Sequence, residues 1–303
     1  MSGKRSRWPW ILGGFVVLLV VAVVALTGTA APPTGEYTID LVALHRVALD
    51  DGAPLPDHIE VERVATFAFP RTLVVAGDGF RMHQMVLLAH RVVWPDHHSA
   101  MIDTAMGPEG AKKMPGSHMT DGGFDRVEAA MKQASAIVFT HEHVDHVGGV
   151  AAAPDVGAIT RQTMFTKEQL ESPRLERGDF PAGALDKMAP LSYSGMYLVA
   201  PGIVLQHAPG HSPGSQLVYV ELADGKRFLF VGDIAWTRDN VTLQKGRPAI
   251  ATLLMKEDRG AVAAQLRALA KLPADVHLVI AHDPVALAED LRAGLYRDGF
   301  QAP

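Results

Sequence analysis

The 303-residue chain contains no cysteine. Disulfides, thiolate nucleophiles and Cys-ligated zinc are thereby excluded, and any metal must be held by His, Asp and Glu. The absence also fits an oxidising compartment. No stripe of Lys and Arg interleaved with aromatics occurs, and the net charge is −5. Phosphate contacts require clustered cations, so a nucleic-acid partner is not expected. Low-complexity sequence is missing apart from one apolar run. The length leaves ample core for one large domain or two small ones.

That apolar run is the first positive feature. Lys4, Arg5 and Arg7 precede an uncharged stretch from Trp8 to Leu26. It is roughly 19 residues long, close to the ~20 that cross a bilayer as a helix. Trp8 and Trp10 stand where an interfacial aromatic belt would lie, and the basic residues before the run place the N-terminus in the cytoplasm. A cleaved signal peptide is the competing reading, cut at Gly28-Thr29-Ala30 or Thr29-Ala30-Ala31. An uncleaved segment makes the protein membrane-anchored, with its catalytic part outside the cytoplasm. A cleaved one makes it secreted.

Beyond a Pro-containing linker, Tyr37–Leu49, Ile59–Phe67, Arg71–Ala76, Met85–Val93 and Ser99–Asp103 read as strands of a largely antiparallel sheet. Val127, Ala130, Met131 and Ala134 recur at helical spacing, which predicts a helix over Phe124–Ser135. A strand over Ala136–Phe139 follows. The second half repeats this order. Strands are predicted at Tyr197–Ala200, Ile203–His207, Leu217–Leu222 and Phe228–Val231, with a hairpin turn at Ala223-Asp224-Gly225-Lys226. A helix over Arg259–Lys271, a strand over His277–Ile280 and a helix over Val285–Ala293 complete it.

The densest chemistry is Thr140-His141-Glu142-His143-Val144-Asp145-His146. His141 and His143, two apart, project from one side of an extended backbone. Asp145 and His146 follow too closely to aim at the same point, so one loop offers two half-sites side by side. Three later ligand candidates each stand just past a predicted strand: His211 in Ala208-Pro209-Gly210-His211-Ser212, Asp233 in Phe230-Val231-Gly232-Asp233, and His282 in Val279-Ile280-Ala281-His282. A lone His is usually structural; these, in this order with the first loop, are a pattern.

With these residues the chain resembles the metallo-β-lactamase fold superfamily of metallohydrolases, over roughly Tyr37 to Ala293. His-x-His-x-Asp-His, then Gly-His, Gly-Asp and a late His are matched at every position. The resemblance implies an α/β fold, a four-layer αββα sandwich with the metals at one edge between the sheets. Together with the N-terminal apolar run, it divides the chain into a basic segment 1–7, an anchor or signal-peptide core 8–26, a linker 27–36 and a hydrolase domain 37–303. It implies one metal held by His141, His143 and His211, and a second held by Asp145, His146 and His282, with Asp233 bridging. Asp103 resembles the early strand-end Asp that supports the metal loop from behind. Ser212 is read as part of a ligand loop and not as a nucleophile.

Imidazole and carboxylate donors suit two zinc ions per chain, and also iron or manganese. The implied activity is hydrolysis of an ester, lactone, thioester or amide of a small-molecule substrate, with Asp145 as the catalytic carboxylate that handles the proton. Acyl-homoserine-lactone lactonases of the superfamily typically carry Tyr three residues after the bridging Asp. Trp236 stands there here, which weakens the expectation of lactone hydrolysis. The alternative activity is an iron-dependent redox enzyme of the same fold, such as a persulfide dioxygenase.

Overall fold

The computed structural model describes residues 8–28, 30–49, 52–173, 175, 180–186 and 188–301. Strands β1 (His58–Pro70), β2 (Met82–Val93), β3 (Ser99–Thr104), β4 (His118–Met119), β5 (Ala136–Val138) and β6 (Thr163–Met164) belong to the first sheet. Strands β7 (Met196–Ala200), β8 (Ile203–His207), β9 (Gln216–Glu221), β10 (Arg227–Phe230) and β11 (Val276–Val279) form the second. The last strand, β12 (Arg297–Asp298), returns to pair with β1. The first sheet runs in the order β12-β1-β2-β3-β5-β6 with β4 beside β1, the second in the order β11-β10-β9-β8-β7.

Strand alternation sets the layers. In β2, Met85, Leu87 and Ala89 face the helices Gly123–Gln133 and Val144–Ala152. Their neighbours Val86, Leu88 and Val92 face the second sheet. In β9, Val218 and Val220 meet them across that seam, while Leu217 and Tyr219 point outward under the helices Leu41–Ala48 and Arg259–Leu269. Helix, sheet, sheet, helix is the expected four-layer order.

β1, β2 and β3 pair antiparallel, as expected, and parallel strands complete both sheets: β3, β5 and β6 run parallel, as do β10 and β11. Two expectations change. Residues 37–49 contain a helix instead of a strand, because Asp40 caps Val42 N and Ala43 N while Leu44 and Ala48, four apart, bury one face. Residues 71–74 form a single helical turn, with Arg71 drawn inward to Asp78 and Asp239.

At the N-terminus, Trp8–Gly28 is one helix, with Leu12, Phe15, Leu18, Val21 and Leu26 all exposed. Among the described residues no helix is long and apolar enough to cross a membrane. The run expected over Trp8–Leu26 is met as one helix. Lys4, Arg5 and Arg7, which carry the expected orientation, lie outside the described residues, as does Thr29 of the expected cut site.

Candidate metal centre

Each predicted ligand sits at or just beyond the carboxyl end of a strand. Past β5 the chain bends at Thr140, and His143 stands at the N-cap of the helix Val144–Ala152. That helix starts hard against the end of β3. Thr104 Oγ1 donates to His146 O (3.0 Å), and a Cβ on Gly149 would meet the Thr104 side chain at 2.8 Å. Only glycine permits this approach, and it fixes where Asp145 and His146 emerge.

The second sheet brings the partners. Gln216 N donates to Thr140 O (2.8 Å) and Gln216 Nε2 to Phe139 O (2.7 Å), which ties the start of β9 to the first ligand loop. Ser212 Oγ donates to Glu142 Oε2 (2.7 Å) and so closes the His211 loop onto the His141 loop. This is the structural role expected of Ser212.

Two groups result: His141, His143, His211 and Asp233, and Asp145, His146, Asp233 and His282, with all donor atoms of each within 4.8 Å of one another. Asp233 divides its oxygens between them. Its Oδ2 lies 3.2 Å from His211 Nε2 and 3.6 Å from His141 Nε2. Its Oδ1 lies 3.1 Å from His282 Nε2 and 3.2 Å from His146 Nε2. His143 turns Nδ1 inward, 3.0 Å from His211 Nε2. Asp145 Oδ2 is 3.5 Å from His282 Nε2, on the more open side.

Charge in this centre is strongly organised. Burial pushes the Asp233 carboxyl up, but His282, His141, His211 and His146 outweigh it and hold the group well below the ordinary carboxylate range. Burial pushes His146 down, and Asp103, Asp145 and Asp233 outweigh it to raise the group well above its usual value. His141 is held well below by burial and by His146. Among the described residues, His141 Nε2, His146 Nε2, His282 Nε2 and Asp233 Oδ1 are buried without a hydrogen-bond partner. They converge on shared points rather than on one another. An unsatisfied buried polar atom costs about 1–3 kcal/mol, and divalent cations are the groups that such converging lone pairs accept. The donor set fits divalent metal.

Behind His146, His282 and His211 the other imidazole nitrogen is fixed. His146 Nδ1 lies 2.8 Å from Asp103 Oδ2, whose carboxylate also accepts from Thr140 N and Thr140 Oγ1, both at 2.8 Å. Asp103 takes a positive φ of 57° to reach them. His282 Nδ1 lies 2.9 Å from Val86 O. His211 Nδ1 lies 2.8 Å from Glu257 Oε2, a buried carboxylate paired with buried Arg247. Arg247 in turn donates to Asp233 O (2.7 Å).

Sequence reasoning missed Glu257 and Arg247. They stand between a predicted strand and a predicted helix with no local motif, and their one signal is a charge of each sign ten residues apart. It also missed an aromatic wall: Phe69 stacks on Trp236, and Phe67 and Trp236 each meet the His282 ring edge-on.

Fold and donor set together are those of the metallo-beta-lactamase superfamily, whose sequence pattern matches residues 91–282. The chain belongs to that superfamily. An N-acyl homoserine lactonase of Bacillus thuringiensis is 30% identical over 107 residues, 34% of this chain and 40% of the lactonase. A hydroxyacylglutathione hydrolase of Aeromonas hydrophila is 31% identical over 160 residues, 52% of each protein. The chain thus spans about half or less of the length of these curated relatives. A solved N-acyl homoserine lactone hydrolase, with the product N-hexanoyl-L-homoserine at its catalytic metal center, shares the fold. Its TM-score is 0.58 at 16% identity, over 78% of this chain and 96% of that one. Lactonases therefore figure among the relatives although Trp236 replaces the expected Tyr.

Proposed function

We propose that the protein is a dinuclear zinc hydrolase that cleaves an ester-type acyl bond (lactone, ester or thioester) in a small molecule outside the cytoplasm. The observation that carries the dinuclear reading is Asp233, whose two oxygens serve different imidazole groups. A mononuclear centre has no use for that division. The imidazole and carboxylate donors, without thiolate, suit zinc.

Two divalent ions held by these groups supply carbonyl polarisation and water ionised near neutral pH. The chain's residues do the rest. Asp233 and the buried imidazoles fix the centre, while Asp145, the most exposed carboxylate of the set, is placed to take the proton of the attacking water. It can return that proton to the leaving alkoxide or thiolate. Phe69 and Trp236 offer an apolar face beside His282 for the acyl part of the substrate. The lactonase and thioester-hydrolase relatives support this bond class.

The apolar helix supports anchoring over cleavage. Thr27 O accepts from Gly77 N and from Thr72 Oγ1, both at 3.0 Å, so the helix end is bonded to residues 72–77 of the chain beyond it. A cut after residue 30 or 31 would discard those bonds.

Metal analysis of the full chain purified without added metal, together with a panel of chromogenic lactones, esters and thioesters, tests the activity. About two zinc ions per chain and hydrolysis of at least one class are expected. One iron with oxygen consumption would replace the hydrolase by the iron-dependent redox alternative. N-terminal sequencing of membrane-associated protein tests the anchor.

A further inference from the structure

Exposed hydrophobic side chains that the active site does not use stand on the two segments that meet the foot of the apolar helix. Phe80 and Met82 belong to one, 66% and 59% exposed. Leu243, Leu253 and Leu254 belong to the other, 51%, 78% and 75% exposed. Two chain segments carry them, and both are laced to the helix and to each other. Gly77 N and Thr72 Oγ1 donate to Thr27 O. Ala76 N donates to Gly246 O (3.0 Å), and Asn240 Nδ2 donates to Val74 O (2.9 Å). The helix Ala249–Met255 packs directly on Trp8–Gly28. A Cβ on Gly77, which has φ +79°, would stand 2.9 Å from Gly28 O, so this junction is a close one.

We infer that this face rests on a lipid bilayer, in the headgroup and upper acyl region of the leaflet that holds the helix. The inference rests on the anchored reading of that helix. Its first argument is continuity: residues 12–26 of the helix are uncharged and exposed, a surface that only an apolar medium covers, and Phe80, Met82, Leu253 and Leu254 add exposed apolar surface on the segments bonded to its foot. Its second argument is charge. Arg81, Lys245 and Lys256 are exposed on the same two segments, and none forms an ion pair among the described residues. The acids nearest in sequence are engaged: Asp78 and Asp239 with Arg71, Glu257 with Arg247, Asp258 in capping Gly260 N and Ala261 N. Apolar side chains framed by free cations match an interface with anionic headgroups. A single helix leaves the domain free to pivot; this second contact holds it at a fixed tilt.

The cysteine-free sequence makes the test direct. Single substitutions Val17→Cys, Met82→Cys, Leu253→Cys and Val42→Cys are labelled with a polarity-sensitive fluorophore in the full chain. Each is reconstituted into phosphatidylcholine–phosphatidylglycerol vesicles with or without a nitroxide-bearing lipid. Val17 reports the helix, Met82 and Leu253 the proposed face, and Val42, on the helix Leu41–Ala48 over the other sheet, the solvent side. The expected result is blue-shifted emission and lipid-dependent quenching at 17, 82 and 253, with neither at 42. Quenching at 17 alone would overturn the docking face and leave the anchor standing. No quenching at 17 would overturn both. Probes at 82 and 253 shielded from water but indifferent to the lipid quencher would assign the face to a second copy or another protein, and so also overturn the proposal. Unchanged thermal melting of each labelled chain keeps the comparison valid.

Discussion

Glu257 Oε2 lies 2.8 Å from His211 Nδ1 and leaves the other ring nitrogen of that imidazole facing Asp233. The carboxylate is buried, and Arg247 Nε donates to the same oxygen (2.7 Å). One acid thus orients a ligand and neutralises a buried cation.

These two duties separate experimentally. Glu257→Gln is expected to lower metal affinity about 10–100-fold, the usual effect of losing an orienting partner. It also strands Arg247, at about 3–5 kcal/mol in stability. The double variant Glu257→Gln with Arg247→Met recovers most of the stability and none of the affinity. Urea unfolding and metal titration against a chromogenic chelator read the two effects.

Asp103 holds the first ligand loop through His146 and Thr140, from a positive φ. Asn tolerates that backbone conformation and keeps the side-chain shape. Asp103→Asn therefore isolates the charge: folding is retained, while affinity at the His146 site falls about 10–100-fold. Zinc retention measured after dialysis against graded chelator checks it.

Gly149 lies within the helix that carries Asp145 and His146. Alanine in an ordinary helix interior gains up to ~1 kcal/mol over glycine. Here its Cβ would run into the Thr104 side chain and carbonyl oxygen, and overpacking against backbone costs about 1–3 kcal/mol. The clash wins, so Gly149→Ala destabilises. Gly157→Ala, which meets nothing within 4 Å, does not. Equilibrium urea melts distinguish them.

His90 is buried under the second ligand group, with neither ring nitrogen hydrogen-bonded among the described residues. Burial lowers its pKa from 6.5 to about 4. Because the folded value lies below the unfolded one, the unfolded chain takes the proton first as pH falls. Stability from this group is whole above about pH 6.5 and lost as pH drops toward 4, by about 3 kcal/mol. His90→Leu removes that loss, so the stability difference between the two proteins shifts in the variant's favour by this amount between pH 7 and pH 4. Unfolding free energies at both pH values measure it.

The candidate donors were legible because chemistry of this kind is dense and ordered along the chain. His141, His143, Asp145 and His146 crowd one loop, and His211, Asp233 and His282 each follow a strand whose apolar run is plain. Glu257 and Arg247 were not, since what makes them matter is a contact 46 residues away from His211 and burial that no local pattern announces. Residues 41–48 misled for a different reason. Their Val and Leu content satisfies a strand as well as a helix, and the cap at Asp40 was the one local signal that separated the two. The mixed direction of the sheets depends on crossover order, which strand-by-strand reading does not supply.

The ligands arrive from opposite sides of the sandwich. Those between 141 and 146 leave the first sheet after β5, while His211, Asp233 and His282 leave the second after β8, β10 and β11. The reactive centre is therefore also a clasp across the joint between two halves of the domain. Any excursion that parts the sheets at this edge separates the two donor groups in the same movement, so on the proposed function partly opened forms of the protein are silent rather than weakly or wrongly active.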